Sequence, residues 1–428
     1  MLIKATLGSA GLRIGGMFFG FLVGAQLARG LGVEGYGTYG LAMSIIALLS
    51  VLTEFGLPQL LTREVAAAQV TKEWGRIRGV LEWSGRTVLL ISLGIFCSTI
   101  IWLIASGKQL SEPLPMALIA GLLRVPFVAQ GKLRCAALRG LQHIVKSQLP
   151  ETLLRPASFS LLLFLAPFMT PLSPALAMGL GVTAAAISLI SSASMLRRVL
   201  PKEVHDANAV ADSRDWWSSA LPMALTEGMR VFQAHLAILL LGLLSSVVTV
   251  GLFRVASSVA VLIAFPLTLF TVVSAPVIAR LHAQQDHKRL QRLLSWLALG
   301  MTAATMLLTL PFVLAGGPLL GMVFGKEFAA SNPVLLVLCL STVLSGFFGI
   351  NAVLLNMTGH QMRVMRASWI SLGVLAVACP LLITSMGALG AAMAAAFSML
   401  VWNTMMWRDG IRLLGLDASF IPLIRFRA

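Results

Sequence analysis

Long apolar runs are the feature that most constrains this chain. Val88–Ile104 is one of many such runs in the 428-residue sequence, and a transmembrane helix needs about 20 mostly apolar residues. Only 11% of the residues are charged, whereas a soluble domain carries roughly 25%. Soluble, disordered and disulfide-scaffold classes are therefore excluded, and continuous runs do not fit the alternating strands of an outer-membrane barrel. The sequence predicts an all-α polytopic membrane protein.

Twelve apolar spans are predicted, six in each half of the chain. Their approximate limits are 10–29, 37–61, 87–106, 113–131, 148–168, 174–196, 216–242, 247–275, 293–315, 332–356, 367–385 and 387–407. The corresponding domains are an N-terminal six-helix lobe (1–196), a cytoplasmic linker (197–215), a C-terminal six-helix lobe (216–407) and a basic cytoplasmic tail (408–428).

The basic residues predict the orientation of the spans. With the N-terminus inside, 24 of the 32 lysines and arginines, from Lys4 to Arg427, fall in the inner segments, and only Arg29, Lys108 and Lys326 fall in the outer ones. Since lysine and arginine are retained on the cytoplasmic side, both termini are predicted to be cytoplasmic. The net charge of +16 then faces anionic membrane lipids, and no nucleic-acid partner is expected.

An internal repeat relates the two halves. Gly37–Ser44 aligns without gaps with Gly251–Ser258, and four of the eight positions carry the same or a similar residue. The offset of 214 residues is half the chain. Because each half holds an even number of spans, both enter the membrane in the same direction. The two lobes are expected to be related by a pseudo-two-fold axis along the membrane normal, as in parallel-repeat transporters.

Charged residues inside the predicted spans are the candidate functional residues, because a charge in the bilayer persists only beside a partner or a wet cavity. The acids are Glu54, Glu151 and Glu227, and the arginines are Arg13, Arg124, Arg155, Arg230 and Arg254. The excess of arginine predicts a cavity that binds an anion, and arginine suits phosphate especially well. The arginines are therefore candidate substrate-binding residues.

Sequence spacing separates paired from unpaired charges. Glu151 with Arg155 and Glu227 with Arg230 can each form a pair on one helix face, so either a structural or a functional role stays open for them. Arg13, Arg124 and Arg254 have no acid within four residues. Arg13 and Arg254 lie near span ends and can snorkel, whereas Arg124 is mid-span and is the leading candidate.

Four residues are candidates for coupling transport to a proton or sodium gradient: Glu54, Glu151, Glu227 and His235. Glu54 has no basic residue within four positions, so it is either a protonated coupling carboxylate or part of a bridge to an arginine of another helix. His235 extends the polar stripe of Glu227. No cofactor, metal or enzyme motif is found, and none is expected.

Several segments in order along the chain resemble bacterial polysaccharide-unit flippases. They include Leu27–Tyr39, Phe55–Pro58, Ala137–Leu141, Pro276–Arg280 and Leu355–Gly359. These flippases form the polysaccharide transporter branch of the multidrug/oligosaccharidyl-lipid/polysaccharide exporter superfamily. The resemblance implies two six-helix lobes in a V around a central cavity. It also implies ion-coupled transfer of an undecaprenyl-diphosphate-linked oligosaccharide to the outer leaflet of the bacterial inner membrane.

The resemblance further implies that cavity cations bind the diphosphate, and that a polysaccharide polymerase and a chain-length regulator are partners. A small-molecule or multidrug antiporter on the same fold is one alternative, which the arginine excess disfavours. A non-transporting membrane scaffold, or an enzyme of surface polysaccharide synthesis, is another. The sugar, the coupling ion and the oligomeric state have no signature in the sequence.

Overall fold

Helices make up nearly all of the structure, a computed structural model that describes residues 2–107, 112–168, 170–210 and 212–422, with side chains from residue 8 onward. No strand occurs in these ranges. Of the basic residues used to predict orientation, Lys108, Arg425 and Arg427 lie outside the described residues, as does the side chain of Lys4. The chain packs as two compact units, Met1–Leu239 and Leu240–Ala428.

The first unit contains ten helices in its described part, the tenth extending into the second unit. They are α1 (Leu2–Glu54), α2 (Leu57–Thr71), α3 (Trp74–Ala105), α4 (Pro113–Leu122), α5 (Arg124–Gly140), α6 (Ile144–Gln148), α7 (Arg155–Leu165), α8 (Pro174–Val199), α9 (Lys202–Asp206) and α10 (Ser213–Leu244). A π-helical turn, Leu149–Leu154, joins α6 to α7, and a 3-10 turn, Ala166–Phe168, follows α7.

The second unit repeats this order of elements. Its described helices are α11 (Val247–Ile263), α12 (Phe265–Ala283), α13 (His287–Phe324), α14 (Asn332–Phe348), α15 (Asn351–Met357) and α16 (Gln361–Leu414), with a 3-10 turn at Lys326–Ser331. In each unit the second span is interrupted, between α1 and α2 in the first unit and between α11 and α12 in the second. A long third-span helix then follows, which is α3 in the first unit and α13 in the second. This correspondence fits the internal repeat seen in the sequence.

Ten helical segments of the described chain are long and apolar enough to cross a membrane. Two of them, Gly8–Thr71 and Gln361–Leu414, exceed 50 residues and bend at a glycine, Gly32 (φ 67°) in the first and Gly387 (φ 54°) in the second. Since each bent segment is long enough for two passes, the ten segments accommodate the twelve predicted spans. The chain is a multi-pass membrane protein.

The core of the first unit explains where the chain divides. Buried side chains of α2, α3 and α5 pack around Trp216 and Ala220 of α10. Trp83 lies 5.1 Å from Trp216 and 5.5 Å from Trp217, measured between ring centroids. Aromatic pairs at this distance stabilise beyond the area they bury. As a result α10 packs with the first unit up to Leu239, beyond the predicted lobe boundary at 196.

Each unit has a segment outside its long helices that packs back on its third-span helix. Within the predicted linker, Val210 N donates to Gly75 O (3.0 Å), and Arg78 donates to His205 O (2.7 Å). In the second unit Gln291 donates to Asp417 O (2.6 Å) and accepts from Asp417 N (2.9 Å). The described part of the predicted tail, 408–422, is therefore packed against its own unit and does not extend from it.

Candidate functional site

A charged cavity lies within the first unit. It encloses about 730 Å³ of empty space, part of it open to solvent. Its walls come from the second half of α1, from α5, from the first turn of α7 and from α10. The lining residues are Met43, Ile46, Ala47, Ser50, Val51, Glu54, Arg124, Val125, Val128, Lys132, Arg155, Glu227, Arg230, Val231 and His235.

The helical repeat brings these residues to one place. On α5, Arg124, Val128 and Lys132 follow one another at four-residue intervals, which keeps them on one broad face. On α10, Glu227, Val231 and His235 do the same. Apolar side chains between the charged ones keep the surroundings of low polarity, so charges in the cavity act on each other more strongly than they would in water.

Close contacts hold α10 against α1 along the cavity wall. A Cβ atom built on Gly228 would lie 3.3 Å from Val51 Cγ1. Further along, Ser44 Oγ donates to Gly40 O (3.0 Å) and lies 3.1 Å from His235 Nδ1. A hydrogen bond between Ser44 and His235 thus links α1 to α10 on the cavity wall.

Arg124 and Arg155 have no carboxylate within ion-pair distance in the described chain, although Arg155 acts on Glu151 as an opposite charge at longer range. Neither side chain forms an ion pair within the described chain, where the other two cavity cations do. Arg124 Nη1 lies 3.6 Å from Met43 Sδ, and its guanidinium also bonds the Tyr39 side chain. Arg155 acts on Arg124 as a like charge. Two guanidinium groups held together without a carboxylate make a site suited to an anion.

Glu54 and Lys132 form a bridge between α1 and α5. Lys132 Nζ lies 2.6 Å from Glu54 Oε1. Of the two alternatives for Glu54, the interhelical bridge is the one observed, although its partner is a lysine and not an arginine. The sequence interpretation missed Lys132 because it ended the fourth span at 131, whereas α5 continues to Gly140. The four-residue spacing from Arg124 was the signal that could have found it.

The two predicted same-helix pairs differ. Arg230 donates to both carboxylate oxygens of Glu227, as the three-residue spacing predicts. Glu151 forms no ion pair with Arg155 in the described chain, and its buried Oε1 has no hydrogen-bond partner. Glu151 lies in the π-helical turn Leu149–Leu154, where Pro150 cannot donate the usual backbone hydrogen bond. Arg155 still acts on Glu151 as an opposite charge, but beyond ion-pair distance.

The structure does not bring every candidate to the cavity. Arg13 is exposed on α1, and Arg254 lies on α11 in the second unit. Arg13 and Glu151 are not among the residues that line the cavity of the first unit. The cavity itself has four cations, Arg124, Lys132, Arg155 and Arg230, against the two acids Glu54 and Glu227. Its net formal charge is therefore +2 with His235 neutral. Among the described residues, no group of three metal-ligating side chains is placed to hold an ion.

Known structures with similar folds are membrane transporters. A multidrug resistance MATE family transporter of the MOP superfamily, in an inward-facing conformation, has a TM-score of 0.73 and 13% identity over 94% of each chain. Lipid II flippase MurJ, in an inward closed conformation, has a TM-score of 0.66 and 14% identity over 95% of this chain and 87% of its own. A MOP superfamily transporter from Pyrococcus furiosus has a TM-score of 0.64 and 13% identity over 96% of each chain.

These similarities confirm the all-helical, two-lobed fold predicted from the sequence. No curated protein matches the chain significantly. A family model for polysaccharide biosynthesis proteins matches residues 3–282, a range that contains the whole cavity. The chain therefore belongs to the polysaccharide biosynthesis protein family, and its structural neighbours are transporters of the MOP superfamily.

Proposed function

We propose that this protein is a flippase for a lipid-linked oligosaccharide. In this proposal it moves an undecaprenyl-diphosphate-linked repeat unit from the cytoplasmic to the outer leaflet of the bacterial inner membrane, for surface polysaccharide assembly. Membership of the polysaccharide biosynthesis family supports this substrate class. The similarity of its fold to that of a lipid II flippase also supports the proposal.

One observation carries the proposal. Arg124 and Arg155 line a cavity of net charge +2 and form no ion pair with a carboxylate of the described chain. Each phosphate of a diphosphate diester carries a negative charge, so the cavity and the head group of the substrate match in charge. Guanidinium groups also bind phosphate oxygens through two parallel N–H donors. The polyprenyl tail would stay in the lipid while the head group occupies the cavity.

Charge also separates this function from the main alternative. An antiporter for cationic drugs needs a cavity in which acids predominate, and here cations predominate. The Pyrococcus furiosus transporter is described as having a binding pocket of reverse polarity that suggests a different function. Pocket charge is thus a meaningful discriminator within this fold.

The proposed cycle is ion-coupled alternating access, driven by a proton or sodium gradient. The coupling candidates that line the cavity are Glu54, which is buried, Glu227, which is half-buried, and His235. Both termini are proposed to lie in the cytoplasm, as the distribution of basic residues predicts. A polysaccharide polymerase and a chain-length regulator are proposed as partners, because they would act on the flipped unit.

Arginine substitution in the native host tests the function. After depletion of the protein, polyprenyl-diphosphate oligosaccharides should accumulate in the cytoplasmic leaflet, and wild-type protein should clear them. Arg124→Ala and Arg155→Ala should each fail to clear them while reaching the membrane in normal amounts. Arg13→Ala is the matched control, because Arg13 is also an arginine in a predicted span but lies outside the cavity. Normal clearance by the Arg124→Ala, Arg155→Ala double variant would contradict the proposal.

A further inference from the structure

The bridge between Glu54 and Lys132 differs from the other charge pair of the cavity. Glu227 and Arg230 are neighbours on one helix and meet wherever α10 forms. Glu54 and Lys132 are 78 residues apart, so only the packing of α1 on α5 brings them together. Both side chains line the same cavity as the unpaired arginines. Because helix packing places this pair beside the arginines of the cavity, the pair is a candidate for a role in binding.

We propose that Lys132 is a third anion-binding residue of the cavity and that Glu54 is its internal counter-ion, which the anionic head group of the substrate displaces. This inference rests on the proposed function. It adds a residue to the binding site and predicts competition within it. The substrate class is the same, a lipid-linked diphosphate.

The position of Lys132 fits a head group that spans several side chains. Lys132 follows Arg124 by eight residues on α5, a separation of about 12 Å along the helix axis. Val128 lies between them on the same wall. An anion bound at Arg124 and Arg155 that extends along α5 would therefore reach Lys132 next. A diphosphate bearing a sugar is long enough to contact both ends of this row.

The two partners of the bridge differ in mobility. The Glu54 side chain is only 11% exposed, whereas the Lys132 side chain is 33% exposed. Glu54 is also held by the backbone, since Phe55 and Gly56 directly after it both have left-handed conformations. Lysine carries its charge on a flexible four-carbon stem. Lys132 is thus the partner able to turn from the buried carboxylate towards an anion in the cavity.

Electrostatics gives the exchange a physical reason. A cation in surroundings of low polarity needs a counter-ion close by. Glu54 supplies one to Lys132 through a direct ion pair, whereas Arg124 forms none and Arg155 has only the more distant Glu151. A phosphate entering the cavity would satisfy the two arginines first, and it would then compete with Glu54 for Lys132. Removing Glu54's charge should consequently strengthen anion binding, although it breaks a salt bridge.

Binding measurements on the purified full-length protein in detergent test this. The probe is farnesyl diphosphate, a short prenyl diphosphate, titrated by calorimetry. Lys132→Met should weaken binding about tenfold, the loss expected for one charge-assisted hydrogen bond. Glu54→Gln should tighten binding several-fold and should have no effect when Lys132 is already methionine. Glu64→Gln is the matched control, since Glu64 is a buried acid paired with Arg63 and Arg76 away from the cavity lining, and it should leave binding unchanged.

The outcomes separate this inference from the proposed function. If Glu54→Gln weakens binding or leaves it unchanged while wild-type protein binds, the bridge is a structural element and the inference is overturned. If wild-type protein and Arg124→Ala bind the probe equally, or neither binds, the proposed anion site itself is wrong. The double variant Glu54→Gln, Lys132→Met removes both charges of the bridge, so that neither partner is left buried as a lone charge, and it controls for misfolding. It should bind as weakly as Lys132→Met alone.

Discussion

Gly56 is the position where a single added methyl group should most disturb the cavity wall. It has φ 69°, a left-handed conformation. A Cβ atom there would also lie 2.7 Å from both Ala220 O and Ala224 N and 2.8 Å from Met223 Cβ. Because two of these neighbours are backbone atoms of α10, the contact can be relieved only by moving the helix.

The expected destabilisation follows from these two effects. An L-residue in the left-handed region costs about 1–2 kcal/mol, and overpacking a well-packed contact costs about 1–3 kcal/mol. Gly56→Ala should therefore lower the stability of the first unit by about 2–5 kcal/mol. For a unit of this size that corresponds to a fall in melting temperature of roughly 4–20 °C.

Two other glycines separate the contributions. Gly359 has φ 82° and nothing within 4 Å of a built Cβ, so Gly359→Ala tests the backbone effect alone. Gly94 lies inside α3, also with nothing within 4 Å, so Gly94→Ala should be neutral or stabilising by about 0.5–1 kcal/mol. The melting temperature of each detergent-purified variant can be measured by heating the protein and monitoring the remaining folded fraction by size-exclusion chromatography. Gly94→Ala should have the highest melting temperature of the three variants and Gly56→Ala the lowest.

The same substitution should reduce function in surviving protein, because α10 carries Glu227, Arg230 and His235 on the cavity wall. If Gly56→Ala had the same melting temperature as Gly94→Ala, α10 would not contact the turn at Gly56 as it does in the structure. If it matched Gly359→Ala, the backbone effect would be present and the steric contact would be absent. Either result would refute the geometry from which the cavity is built.

Two further predictions concern the cavity wall and the orientation of the chain. Ser44→Ala and His235→Ala should be coupled by about 0.5–1.5 kcal/mol in a double-mutant cycle of thermal stability, because they remove two ends of one hydrogen bond; strict additivity would mean that the bond is not formed. The orientation can be tested with single cysteines placed at exposed positions in a Cys97→Ser background. Ser173→Cys should react with a membrane-impermeant maleimide added outside the cell, whereas Lys202→Cys should react only after the membrane is permeabilised. The reverse pattern would overturn the predicted orientation.

Some features of the site followed from local rules and were accessible without a structure. The pair of Glu227 and Arg230 lies on one helix, where a three-residue spacing is sufficient to bring the side chains together. Arg124 was identified as a mid-span cation without a nearby acid, and it lines the cavity. Glu151 and Arg155, four residues apart, form no ion pair in the described chain, although Arg155 acts on Glu151 as an opposite charge.

The sequence by itself determined the fold class and the family. Apolar runs of this length form α-helices in a bilayer, because a helix satisfies its own backbone hydrogen bonds. The ordered family segments needed no coordinates either. Only the tertiary structure decided which charges share a cavity. The bridge between Glu54 and Lys132 joins residues 78 positions apart, and the place of Arg13 outside the cavity depends on which face of α1 packs inward. Such contacts arise from helix packing, which no spacing within a single helix can report.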